Sequence, residues 1–312
     1  MEQSILLLKK IVVLLIMILM GYISVRRGKL RSEDSKVLSS LCFDWVIPCS
    51  LFGAFQTEYD PEKSTAFLVA AGAALFSVFL FILVTRAVQK PLKLNKAEQG
   101  SVIFTNSAGV AAPLCVALFG SESLFYCAPH LLLQNVVICI YLPYIMSRDE
   151  KTNPLKLVLN RNTLAVFLGL AVYFTGIRLP SILTDSVKTV GNTLSPVTMF
   201  MIGMLMGGVD LKAILRNRRT YLVLAGRLLV LPALFILCIR LSGLCQTLSY
   251  GRDMFRCVLV QSAAPCAALV TQMSARYLPA EEAQEAGSLN IATSLLSVIT
   301  MPLILYLFEL TV

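Results

Sequence analysis

Two stretches, FTNSAGVAAPLCVALFG at residues 104–120 and RCVLVQSAAPCAALVTQMSARY at residues 256–277, decide how this chain folds. Each places a proline, Pro113 or Pro265, behind a run of small residues inside an apolar block. Proline removes a backbone donor and clashes with the preceding helical turn. We therefore expect a helix to open near each proline. Polar backbone at membrane depth is tolerated only where it lines protein or a water-filled cavity.

The composition around these stretches indicates a membrane protein. Hydrophobic residues make up 57% of the 312 residues and charged residues 14%, whereas soluble domains have roughly 45–50% and about 25%. The apolar residues form blocks of roughly 17–25, the length at which a helix crosses the hydrocarbon core. The sequence predicts an all-α polytopic membrane protein with ten transmembrane helices, at residues 5–25, 36–56, 64–86, 98–119, 123–146, 162–177, 187–208, 219–241, 253–277 and 281–309.

The placement of the basic residues predicts an orientation. The connectors after the first, third, fifth and seventh spans are rich in Lys and Arg, and the alternate connectors are poor in them. By the positive-inside rule the basic connectors are cytoplasmic, so both termini face outward from the cell membrane. The net charge of +9 forms no stripe interleaved with aromatic residues, so we expect membrane lipid around the chain and no nucleic-acid partner.

The two halves of the chain echo each other. Residues 1–146 hold five spans, 147–161 form a cytoplasmic connector, and 162–312 hold five spans that enter with opposite orientation. Prolines recur at matching spans in three pairs, Pro48 with Pro196, Pro113 with Pro265, and Pro143 with Pro302. We therefore predict two inverted five-helix repeats with broken crossover helices at spans 4 and 9. Inverted repeats of this kind are common in secondary carriers.

The broken spans and two polar stripes supply the candidate substrate-binding residues. Half-helix N-termini concentrate positive potential and favour a bound anion. On the broken spans the candidates are Asn106, Ser107, Gly109, Pro113, Gln261, Ser262 and Pro265. The stripes carry Gln134 and Asn135 beside His130 on the fifth span, and Asn290 and Ser294 beside Thr293 and Ser297 on the last. Such stripes either line a cavity or only hold helices together.

Asp44 and Arg227 are the ionisable residues placed deepest in their spans. Charges inside a membrane are costly and are usually paired or functional. Asp44 and Arg227 either form a structural ion pair or give Asp44 a coupling role through its protonation. His130, the only histidine, titrates near neutrality in its unperturbed state or simply meets a backbone carbonyl.

The nine cysteines show no CxxC and no paired spacing. We interpret them as small apolar packing residues, and with one histidine we expect no metal site and no cofactor. An enzyme is disfavoured too, because no serine elbow accompanies the histidine and no HExxH motif is present.

The two opening stretches, with SLLSVITMPLILYL at 294–307 and GYISVRRGKLRSEDSKVLSSLCFDWVIPCSLF at 21–52, resemble the auxin efflux carrier family. That family includes bacterial carboxylate carriers and plant PIN-type carriers, and the resemblance covers essentially the whole chain. Ala108, Val110 and Ala111 stand where the family pattern has a bulkier aromatic residue and glycines, and Asp44 where it more often has asparagine. The short connector at 147–162 is typical of bacterial members.

The resemblance implies a secondary transporter for a small organic anion, a carboxylate or an auxin-like acid, working by an elevator-type motion. It implies a scaffold domain from spans 1, 2, 6 and 7, through which two copies form a homodimer, and a transport domain from spans 3–5 and 8–10. A sodium-coupled symporter of the bile-acid type, whose fold is thought similar, and a membrane receptor or sensor are the alternatives. The scarcity of acids near the crossing favours proton coupling or uniport.

Overall fold

The computed structural model describes residues 2–146, 160–177, 179–208 and 218–312. Within these ranges the chain forms helices and turns, with one isolated antiparallel bridge between Thr105 and Cys266. The helices of the first half are α1 (Glu2–Arg26), α2 (Ser35–Leu41), α3 (Ile47–Ala54), α4 (Pro61–Val88), α5 (Lys96–Ile103), α6 (Ala112–Phe119) and α7 (Ser123–Met146). A π-helical turn at Cys42–Val46 joins α2 to α3, and another at Ser107–Ala111 precedes α6.

The second half also contains long and interrupted helices. Its helices are α8 (Arg161–Thr175), α9 (Ser181–Gly191), α10 (Leu194–Gly207), α11 (Arg218–Ala225), α12 (Leu231–Ser242), α13 (Leu244–Thr247), α14 (Gly251–Ser262), α15 (Ala268–Tyr277) and α16 (Ala280–Thr311). A π-helical turn at Gly226–Val230 joins α11 to α12.

Six helical stretches of the described chain are long and apolar enough to cross a membrane. They are Ser32–Ala54, Pro61–Val88, Ser123–Met146, Ser181–Gly207, Arg218–Ser242 and Ala280–Thr311. Two shorter apolar stretches, Val12–Arg26 and Ser107–Phe119, accompany them. The all-helical polytopic class is confirmed, while the count of ten spans and the inverted repeat stay predictions.

The fourth and ninth predicted spans are both broken, but only one of the two breaks lies at its proline. Pro265 lies inside its break, between α14 and α15, as expected. Pro113 does not: α5 ends at Ile103, and the extended backbone lies at Phe104–Asn106, well before Pro113. The prediction of a break close to Pro113 is therefore wrong. The side chain of Asn106 caps the start of the new helical segment, and Pro113 lies inside that segment, directly after the π turn at Ser107–Ala111.

An aromatic cluster forms the core at one end of the bundle. Phe125 of α7 lies 5.1 Å from Phe55, 5.2 Å from Phe67 of α4 and 5.1 Å from Tyr173 of α8, measured between ring centroids. Tilted and edge-on pairs at these distances are favourable. The cluster therefore packs the end of α3 against α4, α7 and α8.

Asp60 ties the loops of the two halves together beside this cluster. It caps the N-terminus of α4 by accepting from the backbone N–H of Glu62 and Lys63. Its carboxylate also accepts a 2.7 Å hydrogen bond from the hydroxyl of Tyr250. The Tyr250 bond is the main cause that lowers the pKa of Asp60, with the backbone donors adding to it. A lowered pKa in the folded state means that this contact stabilises the fold at neutral pH and weakens as the pH falls through that pKa.

Helices α1 and α10 approach each other through glycines. A Cβ at Gly203 would lie 1.9 Å from the backbone oxygen of Ile18, and one at Gly21 would lie 2.1 Å from that of Phe200. Gly207, one turn after Gly203, would place a Cβ 2.7 Å from Val25. Small residues spaced four apart allow close backbone contact between membrane helices. The Gly203–Gly207 pair therefore sets the distance between these two helices.

Replacing Gly203 with alanine is expected to destabilise the protein. The added methyl group meets backbone rather than a movable side chain, and such overpacking costs about 1–3 kcal/mol. The matched control is Gly72→Ala on α4, where nothing lies within 4 Å of the added Cβ. Alanine is the better helix former, so the control should be neutral or slightly stabilising. Thermal unfolding of the purified variants measures both, and equal melting temperatures would contradict the close packing of α1 on α10.

Candidate functional site

The two breaks meet and pair through their backbones. Asn106 N–H donates to the carbonyl of Pro265 over 2.7 Å, and Ala267 N–H donates to the carbonyl of Phe104 over 3.0 Å. These bonds form the antiparallel bridge between Thr105 and Cys266, both of which are buried. Each extended segment therefore satisfies polar groups of the other at the point where neither is helical.

Each bridge residue is also held by a polar side chain of the second α-helix after it in the chain. In the first half the amide nitrogen of Gln134, on α7, donates to the carbonyl of Thr105 over 2.6 Å. In the second half the hydroxyl of Thr293, on α16, accepts from Cys266 N–H over 3.1 Å. The amide of Asn290 adds a long 3.5 Å contact to the carbonyl of Cys266. The polar stripes of the fifth and tenth predicted spans thus hold the crossing segments in place.

His130 and Ser294 belong to the same stripes without reaching the crossing backbone. His130 is 1% exposed, and its Nε2 faces the Gln134 side-chain oxygen at 3.2 Å rather than a backbone carbonyl. The carbonyl of Ser294 accepts from the hydroxyl of Ser297 within α16. These contacts fix side-chain positions inside the helical packing.

Arg227 neutralises the carbonyl ends of the broken helices. Its side chain is fully buried, and it donates to Ala264 from Nε over 3.0 Å and from Nη2 over 2.7 Å. Nη2 also donates to the carbonyl of Ser262 over 2.7 Å, and Nη1 to that of Val102 over 3.4 Å. Val102 lies in the last turn of α5, and Ser262 and Ala264 lie at the end of α14. Free carbonyls and the negative end of the helix dipole gather there, so a cation is favoured.

The expected pairing of Asp44 with Arg227 is wrong. Asp44 pairs instead with Arg161 at the start of α8, with 2.8 Å between Oδ1 and Nη1. The side chains of Arg161 and Asp44 are 63% and 49% exposed, whereas Arg227 is at 0%. The breaks provide Arg227 with carbonyl partners at close range, so it needs no carboxylate to satisfy its donors.

A cavity of about 880 Å³ opens beside the crossing. Its walls come from α2 with the following π turn, from residues 105–108, and from α7, α8 and the start of α15. This volume is in the range of small-molecule sites. Its polar and charged lining residues are Lys36, Ser39, Ser40, Asp44, Thr105, Asn106, Ser107, Gln134, Asn135, Asn160, Arg161, Asn162, Thr163 and Gln272.

Two helix beginnings contribute to the cavity wall. One is the start of the π turn at Asn106–Ala108, and the other is the start of α15 at Ala267–Leu269. The first N–H groups of a helix have no intrahelical partner and carry the positive end of its dipole. Lys36 and Arg161 add two cationic side chains, and Asp44 is the one carboxylate among the described lining residues. The cavity therefore favours an anion.

Asn106 combines a structural role with a place on the cavity wall. Its side-chain oxygen accepts from the N–H of Gly109 over 3.1 Å and so caps the π turn. A Cβ at Gly109 would lie 2.6 Å from that oxygen, so glycine leaves room for the cap. The half-buried amide lies on the cavity wall, where its NH₂ group is a potential donor to a ligand.

The structure groups only some of the predicted site residues around the cavity. Asp44, Asn106, Ser107, Gln134 and Asn135 line it. The others do not lie on its wall: Gly109 sits in the π turn, Pro113 in α6, Gln261 and Ser262 in the last turn of α14, Pro265 behind the bridge, and Asn290 and Ser294 on α16, while Arg227 is buried at the carbonyl ends.

Sequence analysis missed Thr105, Lys36 and Arg161. Thr105 lies next to Asn106, and its position inside the quoted motif was the available clue. The sequence pattern indicates only that Lys36 and Arg161 belong to the basic connectors that predict the membrane orientation. Nothing in the sequence spacing links Arg161 to Asp44, because their contact depends on how α8 packs against the π turn.

Comparison with known families identifies one that matches most of the chain. A family model described as membrane transport protein matches residues 6–305. No curated protein matches the chain.

Replacing Arg227 with methionine is expected to destabilise the protein strongly. Methionine fills similar space but leaves the carbonyls of Val102, Ser262 and Ala264 without this donor, at a cost of about 3 kcal/mol or more. The melting temperature of the purified protein should fall by several degrees.

Arg240→Met is the matched control, because Arg240 lies exposed near the end of α12. It should leave the melting temperature nearly unchanged. If Arg227→Met were as stable as Arg240→Met, the guanidinium would not be holding the crossing.

Proposed function

Because the chain belongs to the membrane transport protein family, the auxin efflux carrier family that its motifs resemble, we propose that it is a secondary transporter for a small organic anion. The family and the apolar helices make it a membrane-embedded, multi-pass protein. The substrate class we propose is a carboxylate or an auxin-like acid, and the membrane is the cytoplasmic membrane of a bacterial cell.

One observation carries the proposal: two helix beginnings lie on the wall of a cavity that also holds Lys36 and Arg161. The carbonyl ends at the same crossing are occupied by Arg227. At the crossing, the N–H groups of the helix N-termini are therefore available to a ligand, whereas the carbonyls of the helix C-termini are not. A carboxylate is the simplest organic group that such donors bind.

The two sides of the cavity support an elevator-type mechanism. One wall comes from α2, its π turn and α8, which belong to the predicted scaffold. The opposite wall comes from residues 105–108, α7 and the start of α15, which belong to the predicted transport domain. Sliding of the second group against the first would carry the ligand with the crossing. We also propose, from the family resemblance, that two copies pair through the scaffold.

The position of the cavity mouth suggests which side it faces. Lys36 and Arg161 adjoin the first and fifth connectors, which are basic and therefore predicted to be cytoplasmic. In that orientation the described conformation is open to the cytoplasm. Binding from that side corresponds to the loading step of an exporter or the release step of an importer.

The surroundings of Asp44 indicate which ion is coupled to transport. It is the one carboxylate among the described lining residues, and Arg161 is its partner. Sodium sites prefer several oxygen ligands with negative charge, so this lining favours proton coupling or uniport over a sodium symporter. We propose that the Asp44–Arg161 pair takes part in this coupling.

The test is a thermal-shift screen of the purified protein against carboxylates and indole acids, followed by titration of the best ligand. Ligand binding to the folded state raises the melting temperature. We predict that Asn106→Ser weakens binding roughly tenfold, because serine keeps a capping oxygen for Gly109 N–H but removes the NH₂ donor, worth about 1–3 kcal/mol.

Asn192→Ser makes the same chemical change at an exposed residue between α9 and α10 and should bind like the parent. If no organic anion stabilises the parent protein, the proposed function fails. If one does and Asn106→Ser binds it equally well, Asn106 is a structural cap only.

A further inference from the structure

Three cysteines that are far apart in the chain meet in the protein interior. They are Cys115 of α6, Cys127 of α7 and Cys257 of α14, and their sulfur atoms all lie within 4.8 Å of one another. None is more than 1% exposed. Their separation in the sequence is why the spacing of the cysteines gave no indication of a shared site.

A fourth polar side chain approaches this cluster. Gln261 follows Cys257 by four residues on α14, so both lie on one face of that helix. Its side chain is fully buried and comes close to the Cys127 thiol. Neither its amide oxygen nor its amide nitrogen has a hydrogen-bond partner of good geometry among the described residues. Buried amides are rarely left this way, so the Gln261 amide is available to a further partner in this site.

We propose that Cys115, Cys127, Cys257 and Gln261 bind a thiophilic divalent d¹⁰ ion, Zn²⁺ or its analogue Cd²⁺. Three sulfurs at about 2.3 Å from one zinc ion lie about 4 Å apart. Separations of up to 4.8 Å therefore need to close by less than an ångström. The Gln261 oxygen supplies the fourth ligand of a tetrahedron, and the set is closed to water, as in a structural site.

The loaded site would carry a net negative charge. Binding breaks three S–H bonds, forms three S–metal bonds and releases three protons to solvent. Three thiolates and one divalent ion leave a net charge of −1. Arg227 donates to the carbonyl of Ser262, the residue after Gln261, and no acidic side chain in the described part of the chain pairs with it. Arg227 thus places a buried cation at the end of α14, the helix that carries Cys257 and Gln261.

An ion bound at this site would link the two broken spans at a place outside the cavity. Cys115 follows the first break on α6, Cys257 precedes the second on α14, and Cys127 adds α7. A bound ion would cross-link these helices while leaving the cavity lining free, since none of its four ligands lines the cavity. We therefore assign it a structural role, independent of the substrate that the protein carries.

Titration with Cd²⁺ tests the site directly. The full-length protein is purified in detergent, reduced and treated with a chelator, and Cd²⁺ is added while the ultraviolet thiolate-to-metal absorbance is followed. We expect saturation at one Cd²⁺ per chain, a higher melting temperature, and competition by Zn²⁺. Cys127→Ser should lose the saturable band.

Cys139→Ser is the matched control, because Cys139 is a buried cysteine of the same helix outside the cluster, and it should keep the band. Gln261→Leu retains the three thiols, so it should keep the band but bind roughly tenfold more weakly. The proposal is overturned if the parent shows no saturable band, or if Cys139→Ser loses as much of it as Cys127→Ser. The titration does not involve transport, so its outcome is independent of the proposed carrier function.

Discussion

The hydrogen bonds from Arg227 to the carbonyls of the broken helices are the interaction on which the rest of this structure depends. A helix break inside a membrane leaves carbonyl and N–H groups without water to bind, at a cost of several kcal/mol for each unsatisfied group. The guanidinium satisfies carbonyls of α5 and α14 together, and the backbone bridge at Thr105 and Cys266 satisfies the extended segments between them. The two helix beginnings on the cavity wall are then the helix ends that remain for a ligand. The anion preference that we propose for the site follows from the position of Arg227, the one fully buried cation among the described residues.

Some of the surrounding residues hold helices closely together, and others border the cavity. The glycines of α1 and α10 bring two backbones together without intervening side chains, which suits a rigid frame. The crossing is held on its other side by Gln134 and Thr293, and by the cysteine cluster if it binds its ion. The cavity lies beside the crossing, and its opposite wall comes from α2, the following π turn and α8. A ligand bound there would contact both walls at once, as the proposed alternating access by relative sliding requires.

The helices could be predicted from the sequence because apolar blocks and their polar connectors are local features. Residues 64–86 and 281–309 anticipated Pro61–Val88 and Ala280–Thr311 closely. Pro265 marked its break correctly, but Pro113 did not, because the new helical segment starts at Asn106, seven residues earlier, and continues through a π turn to Pro113. The Asp44–Arg161 pair and the meeting of Cys115, Cys127 and Cys257 depend on how distant helices pack. Neither spacing nor composition carries that information. Asn106 and Ser107 were found because the motif itself lies on the cavity wall.

The most direct test of this account is an experimental structure of the protein with a bound carboxylate identified by the ligand screen. The account predicts the carboxylate in the cavity, with its oxygens about 3 Å from backbone N–H groups at the start of the Ser107 turn and of α15, and Arg227 still bonded to the carbonyls of Ser262 and Ala264. A carboxylate held elsewhere, or one bound directly by a guanidinium of Arg227 that has left those carbonyls, would contradict it.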